Sequence, residues 1–337
     1  MTHAASSALL RTLVWYETIG YAPTRTELLM TMEVGAGDRL QGTGYRGQSF
    51  LAELLAAGIL SEHMGRIGFS ESLDGIVTMI RARDALQPRK RRRATRVAYW
   101  LSRLPCVRFV ALANTTALGV ARNEGDLDFF VVARAGTIWT TRLIGGLPFR
   151  LLGMTPSSDA ATDRDAICLS YFVTDDALDL SSHQLQDDDP YFRYWFLSLL
   201  PLADDGVSRE FWEANATIRE RHPFARKWIA PPDLCVDKRE QMAVSRWQIG
   251  SKKTYLLSTI YDLLSVSFFE PTARFLQKHW FPPTIRNRMN RDTTVMANDQ
   301  TLKFHVTDRR ATYREQYEVS CGKRGIEPYA QSNEQSF

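Results

Sequence analysis

Val107-Arg108-Phe109-Val110-Ala111-Leu112-Ala113, then Asn114-Thr115-Thr116, then Arg122-Asn123-Glu124-Gly125-Asp126-Leu127-Asp128-Phe129-Phe130-Val131-Val132: this succession decides how the chain folds. Val107–Ala113 is apolar at both parities apart from Arg108, the pattern of a strand buried on both faces. The small polar triplet turns the chain into a short helical stretch, and Arg122–Gly125 turns it back. Side chains alternate along a strand, so Asp126 and Asp128 share one face at the mouth of the second strand. Leu127, Phe129 and Val131 take the other face and pack under helices.

Two carboxylates side by side at the mouth of a buried strand repel each other, and a cation between them removes the conflict. Mg²⁺, or Mn²⁺ in its place, suits the pair, because a hard ion takes one or two carboxylates and completes its shell with substrate phosphates. A helix N-terminus at Asn114–Thr116 would turn backbone N–H groups toward a phosphate, and the hydroxyls of Thr115 and Thr116 would add donors. The bland reading is a solvated Asp-x-Asp after a turn. Against it stands the combination of buried strand, small polar turn, twelve residues from Asn114 to Asp126, and a second apolar run.

Upstream, residues 8–18 repeat apolar positions at helical spacing until Gly20, and Thr24 or Thr26 caps a second helix, ELLMTM. SFLAELLAAG (49–58) is a third, and ILSEHMGRIGFSE (59–71) turns at Gly65 between two short strands. Three helices and a hairpin over residues 1–75 make a winged-helix module. Gly42-x-Gly44-x-x-Gly47 matches the dinucleotide fingerprint, but no buried strand precedes it, so a loop is expected there. GSKKT (250–254) lacks the upstream glycine and strand of a phosphate loop.

Residues 76–104 suggest one long basic linker helix, broken or kinked near Pro88 and carrying Arg89-Lys90-Arg91-Arg92-Arg93. Such a run is either a nucleic-acid patch or a solvated face, and the solvated face is favoured. The third helix is apolar and acidic where a recognition helix would be basic, so nucleic acid is the less favoured partner.

With 44% hydrophobic and 24% charged residues, the composition excludes a disordered or membrane-embedded chain, and the net charge of +4 permits a phosphorylated substrate without requiring one. Four scattered cysteines form no CxxC pair and are expected as free thiols. The most apolar segment, Tyr255–Phe269, is interrupted by Asp262 and too short to span a bilayer. No signal segment stands at the start, and a cytoplasmic location is expected.

The Asn114–Asp128 region resembles the DNA polymerase β-type nucleotidyltransferase superfamily, whose signature is Gly-Ser, a spacer, and Asp-x-Asp on a strand. Ile138-Trp139-x-x-Arg142, ICLSYFV (167–173), Leu200-Pro201-Leu202 and LKFHVTDRR (302–310) are similar to a bacterial family that joins an N-terminal winged helix to this core. The resemblance implies Asp126 and Asp128 as Mg²⁺ ligands, with Asn114 and Thr115 standing where Gly-Ser would be. It also implies nucleotidyl transfer from a nucleoside triphosphate to an acceptor the sequence does not identify, with release of pyrophosphate.

A third carboxylate usually comes from a later strand, but Ala166–Val173 holds no acid. Asp165 before it is the candidate third ligand, and Asp175 follows it. Arg142, Lys303, His305 and Arg309 are candidate phosphate-binding residues, with Lys303 and His305 on one face of an extended LKFHV.

The expected fold is α+β: the winged-helix module, the basic linker helix, a nucleotidyltransferase-like mixed β-sheet core (105–232), a helical C-terminal region (233–325) and a disordered tail (326–337). The alternative function is a catalytically degenerate transferase fold that binds or regulates through DNA or protein contact.

Overall fold

The computed structural model describes residues 3–34, 43–156, 164–228, 236–237 and 268–328. Gly42, Cys235, the 250–254 stretch, most of Tyr255–Phe269 and the tail from 329 lie outside the described residues.

The chain opens with α1 (His3–Thr18), α2 (Arg25–Met30) and α3 (Thr43–Ala56), then a hairpin of β1 (Leu60–His63) and β2 (Arg66–Phe69). Thr24 and Glu27 close a capping box on α2, the Thr24 hydroxyl accepting from the Glu27 backbone N–H and the Glu27 carboxylate from that of Thr24. Met64 and Gly65, both at positive φ, make the two-residue turn. The order is the one expected from the sequence, but α3 begins at Thr43 and takes in Gly44 and Gly47, where a loop was expected.

The basic segment is broken near Pro88, as the sequence suggests, into α4 (Leu73–Asp84) and α5 (Gln87–Ser102). Pro88 falls in the first turn of α5, where its missing N–H has no partner to lose. One side of α5 (Ala94, Val97, Leu101) is buried against the sheet. The basic run is therefore not wholly a solvated face. Lys90 is fully buried, while Arg91 and Arg92 face solvent.

The remaining elements are β3 (Val107–Leu112), α6 (Asn114–Ala117), β4 (Leu127–Ala133), α7 (Ile138–Leu151), β5 (Ile167–Thr174), α8 (Pro190–Leu197), β6 (Leu200–Asp204), α9 (Ser208–Ala214), α10 (Ala216–Arg219), β7 (Val236–Asp237), α11 (Glu270–Trp280), α12 (Pro283–Arg286), β8 (Val295–Ala297), β9 (Thr301–Phe304) and α13 (Arg310–Lys323). Among the described residues the seven strands from β3 onward form one mixed sheet in the order β7-β6-β3-β4-β5-β9-β8. β4 is central, antiparallel to β3 and parallel to β5.

Its odd-numbered residues Leu127, Phe129 and Val131 pack with α5 and α7. Phe130 and Val132 pack with Phe192 and Phe196 of α8 and Phe211 of α9. Asp126 and Asp128 share the parity of the second set, so they open toward α8. The region after 233 is not a separate helical unit. β8 and β9 complete the sheet, with Lys303 paired to Tyr171 of β5. No helix among the described residues is long and apolar enough to cross a membrane.

The N-terminal elements pack onto the sheet-bearing part through Trp15, stacked 5.2 Å from Tyr194, with Tyr317 of α13 edge-on to it. Beside them Glu33 meets Arg193 of α8 at 3.0 Å, with only 2% and 5% of the two side chains exposed. Burial pushes the Glu33 carboxyl up, but Arg193, His222 and Arg11 outweigh it and hold it below the ordinary range. Breaking such a pair strands a buried charge, at a cost of about 3–5 kcal/mol.

Arg193→Met should lose about that much in urea unfolding at neutral pH. Because the Glu33 carboxyl is depressed, its stabilisation is present above the ordinary carboxylate range and vanishes as pH falls through the folded value. The wild-type advantage should therefore shrink on acidification. A variant as stable as wild type at pH 7 would show that this pair does not fasten the N-terminal elements.

Candidate functional site

The parallel register of β4 and β5 sets Cys168 directly beside Asp128. Asp126, Asp128 and Cys168 then offer ligand atoms within 4.8 Å of one another, all three residues half-buried. Burial raises the Asp128 carboxyl, partly countered by hydrogen bonds from Asn114 and Cys168. Burial and the charges of Asp128 and Asp126 push the Cys168 thiol well up, so it is protonated at neutral pH.

Asn114 stands at φ +56°, in the left-handed region where Asn is the most tolerant residue after Gly. Its side chain does not project into open space. The amide donates to Asp128 Oδ2 at 2.7 Å, and its carbonyl oxygen accepts from the Tyr191 hydroxyl at 3.1 Å. Asn114 thus orients a carboxylate.

Two of the sequence expectations about the turn change. α6 is a single turn, and Thr116 is buried with its hydroxyl donating to the Asp126 carbonyl at 3.3 Å, so it is no phosphate donor. Thr115 is exposed and faces a neighbouring cavity. Asp165 is not a third metal ligand either. Lys90 Nζ and Arg89 Nε hold its carboxylate at 2.7 and 2.8 Å, and these partners reverse the upward push of burial. Asp175 accepts from the Ala135 backbone N–H at 2.8 Å and pairs with Arg108.

The carboxylates open into a cavity of about 780 Å³ whose far wall comes from the 303–310 segment. Lys303, His305 and Arg309 all line it, bringing together residues some 175 positions from Asp128. A bulge in β5 between Cys168 and Tyr171 turns Ser170 into the cavity, where its hydroxyl lies 3.3 Å from His305 Nε2. Lys303 is 1% exposed. Its ammonium lies 5.3 and 5.4 Å from the ring centres of Tyr171 and Phe192 and has no hydrogen-bond partner among the described residues.

Arg142 is engaged elsewhere. Its guanidinium sits 4.5 Å from the Phe304 ring centre and donates to Gln277 at 2.7 Å, so it is not on the cavity wall with Lys303.

No protein-family model, curated protein or solved structure matches the chain.

The donor set decides what the corner can hold. Two carboxylates match a hard divalent ion that leaves the rest of its shell to water and phosphate oxygens, so Mg²⁺ or Mn²⁺ fits. The third atom is a thiol sulfur, which adds nothing to a Mg²⁺ site while protonated and suits softer ions once it is deprotonated.

Cys168 and Ser170 lie in the quoted ICLSYFV strand, yet a search for a third acid passes over them. Tyr191 and Tyr313 carry no sequence signal, being two aromatics among many that only packing brings to the site.

Burial draws the Lys303 amine down to about 7, and the charge of Arg310 adds to the shift. The folded chain then gives up a proton that the unfolded chain keeps up to the usual 10.5, so stability should rise as pH climbs from about 7 toward 10.5. Lys303→Met should raise Tm at pH 7, and the gain should fade toward pH 10.5. A variant that melts lower at every pH would mean that the amine contributes attraction rather than a desolvation cost.

Proposed function

We propose that the cavity binds a nucleoside triphosphate through a divalent cation held on Asp126 and Asp128, and transfers its nucleotidyl group to an acceptor hydroxyl. One observation carries the reading. A carboxylate pair at the mouth of a central strand faces the basic residues Lys303 and Arg309 across one cavity of about 780 Å³, within the usual range of small-molecule sites.

Bound there, Mg²⁺ would supply the charge that offsets the two carboxylates and draws phosphate oxygens to the corner. The chain's own residues do the rest. Asn114 fixes the Asp128 carboxylate by its 2.7 Å hydrogen bond, leaving less to reorganise when a cation binds. Arg309, exposed at the rim, offers a guanidinium to the phosphate tail. Tyr171, Phe192 and Trp195 form an apolar wall that keeps water from the phosphates and strengthens electrostatic contacts. In the transfer, the acceptor oxygen bonds to the α-phosphorus, the bond to the bridging oxygen of pyrophosphate breaks, and the hydroxyl proton is released to solvent.

Cys168 favours a second reading, a nucleotide-binding fold without transfer that regulates or docks through its N-terminal helices and hairpin. A thiol stands where an acid would complete the carboxylate cluster.

Calorimetric titration with the four ribonucleoside triphosphates, in Mg²⁺ and in Mn²⁺, separates these readings when paired with a pyrophosphate-release assay. Binding should need the cation and weaken at least about tenfold in Asp126→Ala with Asp128→Ala. Cys168→Asp should tighten Mg²⁺-dependent binding. Binding with no pyrophosphate release in any combination selects the second reading. No binding at all rejects both.

A further inference from the structure

We infer that the outer face of α5, α7 and α11 docks on an anionic lipid surface, lying on the bilayer rather than crossing it. None of the exposed residues of this face lines the carboxylate cavity, so the docking does not depend on what that cavity binds.

The three helices cover the same face of the sheet, with Val97 of α5, Trp139 of α7 and Ala273 of α11 in one buried cluster. Close contacts fix them side by side. The Trp100 indole N–H of α5 donates to the Gly145 carbonyl of α7 at 3.3 Å. The Gln277 amide of α11 donates to the Trp139 carbonyl of α7 at 2.7 Å. Their outward sides therefore point the same way, away from the sheet.

Apolar side chains crowd that outward side. Ten of the thirteen exposed large apolar residues among the described ones lie on these helices or within two residues of their ends, so the exposure belongs to this face and is not scatter. Leu151 and Leu152, where α7 ends, are 77% and 71% exposed, and Phe268 and Phe275 are 79% and 70% exposed. Ile144, Leu147 and Leu151 recur at i, i+3 and i+7, a continuous stripe of α7 turned from the core. Tyr99, Trp100 and Trp280 are exposed as well, and such amphipathic aromatics settle at a membrane–water boundary. A concentrated apolar patch marks a protein or membrane contact.

The charge decides between these. Neither α5 nor α7 contains an acid, and the single acid of α11, Glu270, is used at the start of α7. Its carboxylate accepts from the Trp139 and Thr140 backbone N–H groups, each at 2.8 Å. Arg92, Arg96 and Arg150 are exposed and take part in no ion pair among the described residues. On α5, Arg92, Arg96 and Tyr99 follow one stripe that continues to Arg103, whose guanidinium lies 5.4 Å from the Tyr99 ring centre. Free cations around projecting leucines and aromatic rings match a surface with negative headgroups above an apolar interior.

Other occupants fit less of this face. A nucleic acid or an acidic peptide would satisfy the arginines but leave Leu151, Leu152 and Phe275 in water. A second copy seated on the same face would bring its arginines up to this one's, with no free acid on these helices to pair them. A lipid surface takes both the charge and the apolar side chains.

The test is vesicle flotation of the full chain, without nucleotide or divalent ion. Vesicles of equimolar phosphatidylglycerol and phosphatidylcholine are compared with phosphatidylcholine alone. The mixed vesicles should bind at least about tenfold tighter, and more weakly as salt rises. Arg92→Gln, Arg96→Gln and Arg150→Gln together should lower that affinity at least about tenfold and flatten the salt dependence. Leu151→Ser with Leu152→Ser should also lower it at least about tenfold but keep the salt dependence. Met64→Ser, at the exposed tip of the hairpin, should bind as wild type does. All of these side chains are exposed, and unchanged melting curves would verify the fold.

Brominated acyl chains should quench tryptophan fluorescence, and Trp100→Phe with Trp280→Phe should remove most of the quenching. No binding to the mixed vesicles, equal binding to phosphatidylcholine alone, or variants of either kind that bind like wild type would overturn the proposal. So would self-association, read by light scattering, that the leucine variant abolishes while vesicles remain unbound, since a second copy would then own the face.

Discussion

The candidate site depends on one buried cation. Lys90 points inward from α5, and its ammonium bonds to the Asp165 carboxylate at 2.7 Å and to the Gly125 carbonyl at 2.5 Å. Gly125 immediately precedes Asp126, and Asp165 lies two residues before β5. The same amine therefore ties together the entrances of the two strands that carry Asp126, Asp128 and Cys168. Backbone bonds reinforce it, from Asp165 N–H to Gly125 and from Leu127 N–H to Ala166. A charge fully removed from water is tolerated only when paired and hydrogen-bonded, so the two loops cannot drift without stranding it.

That constraint shows why the rest of α5 is divided as it is. Ala94, Val97 and Leu101 bury its inner side against the sheet, and Lys90 continues that side to the strand mouths. Its outer side is left to Arg91, Arg92 and Arg96, which need no structural partner. A run of five basic residues thus separates by helical position into an internal fastener and an external charged surface. The N-terminal elements use the same kind of fastening, with Glu33 inserted between Arg193 and Arg221 beneath the Trp15–Tyr194 stack.

Much of this was legible in local sequence. Alternation along Asp126–Val132 placed the two aspartates on one face, and Thr24, Gly65 and Pro88 marked boundaries through capping and turn chemistry. In each case the cause lies within a few residues of the effect. What was hidden depends on distant partners. Asp165 looked like a spare ligand because its neutralisation comes from Lys90 and Arg89, some 75 residues earlier. Arg142 looked like a phosphate contact because Gln277 and Phe304 are far along the chain. Cys168 was overlooked because its importance lies in a parallel register with Asp128, which strand patterning does not disclose. Within the 233–325 region the extended reading of LKFHV matches β9, but nothing local to β8 and β9 discloses that they pair beside β5 and complete the sheet edge.

Asn114 and Cys168 share a chemical logic at the corner. Both are neutral groups placed beside Asp128, Asn114 donating an amide N–H to it and Cys168 lying opposite it across the strand pair with its thiol donating to the Ser170 hydroxyl at 3.3 Å. Neutral donors soften the repulsion between the carboxylates without adding positive charge that would compete with a cation. An acid in place of Cys168 would add a third negative charge in a half-buried corner, intolerable until a metal arrived. An arginine or lysine there would neutralise the pair permanently. The thiol lies between these limits, since while protonated it adds neither a third negative charge nor a permanent positive one. The free protein therefore keeps a corner with only two acids to offset, and that economy lets the aspartates stand at the mouth of a buried strand.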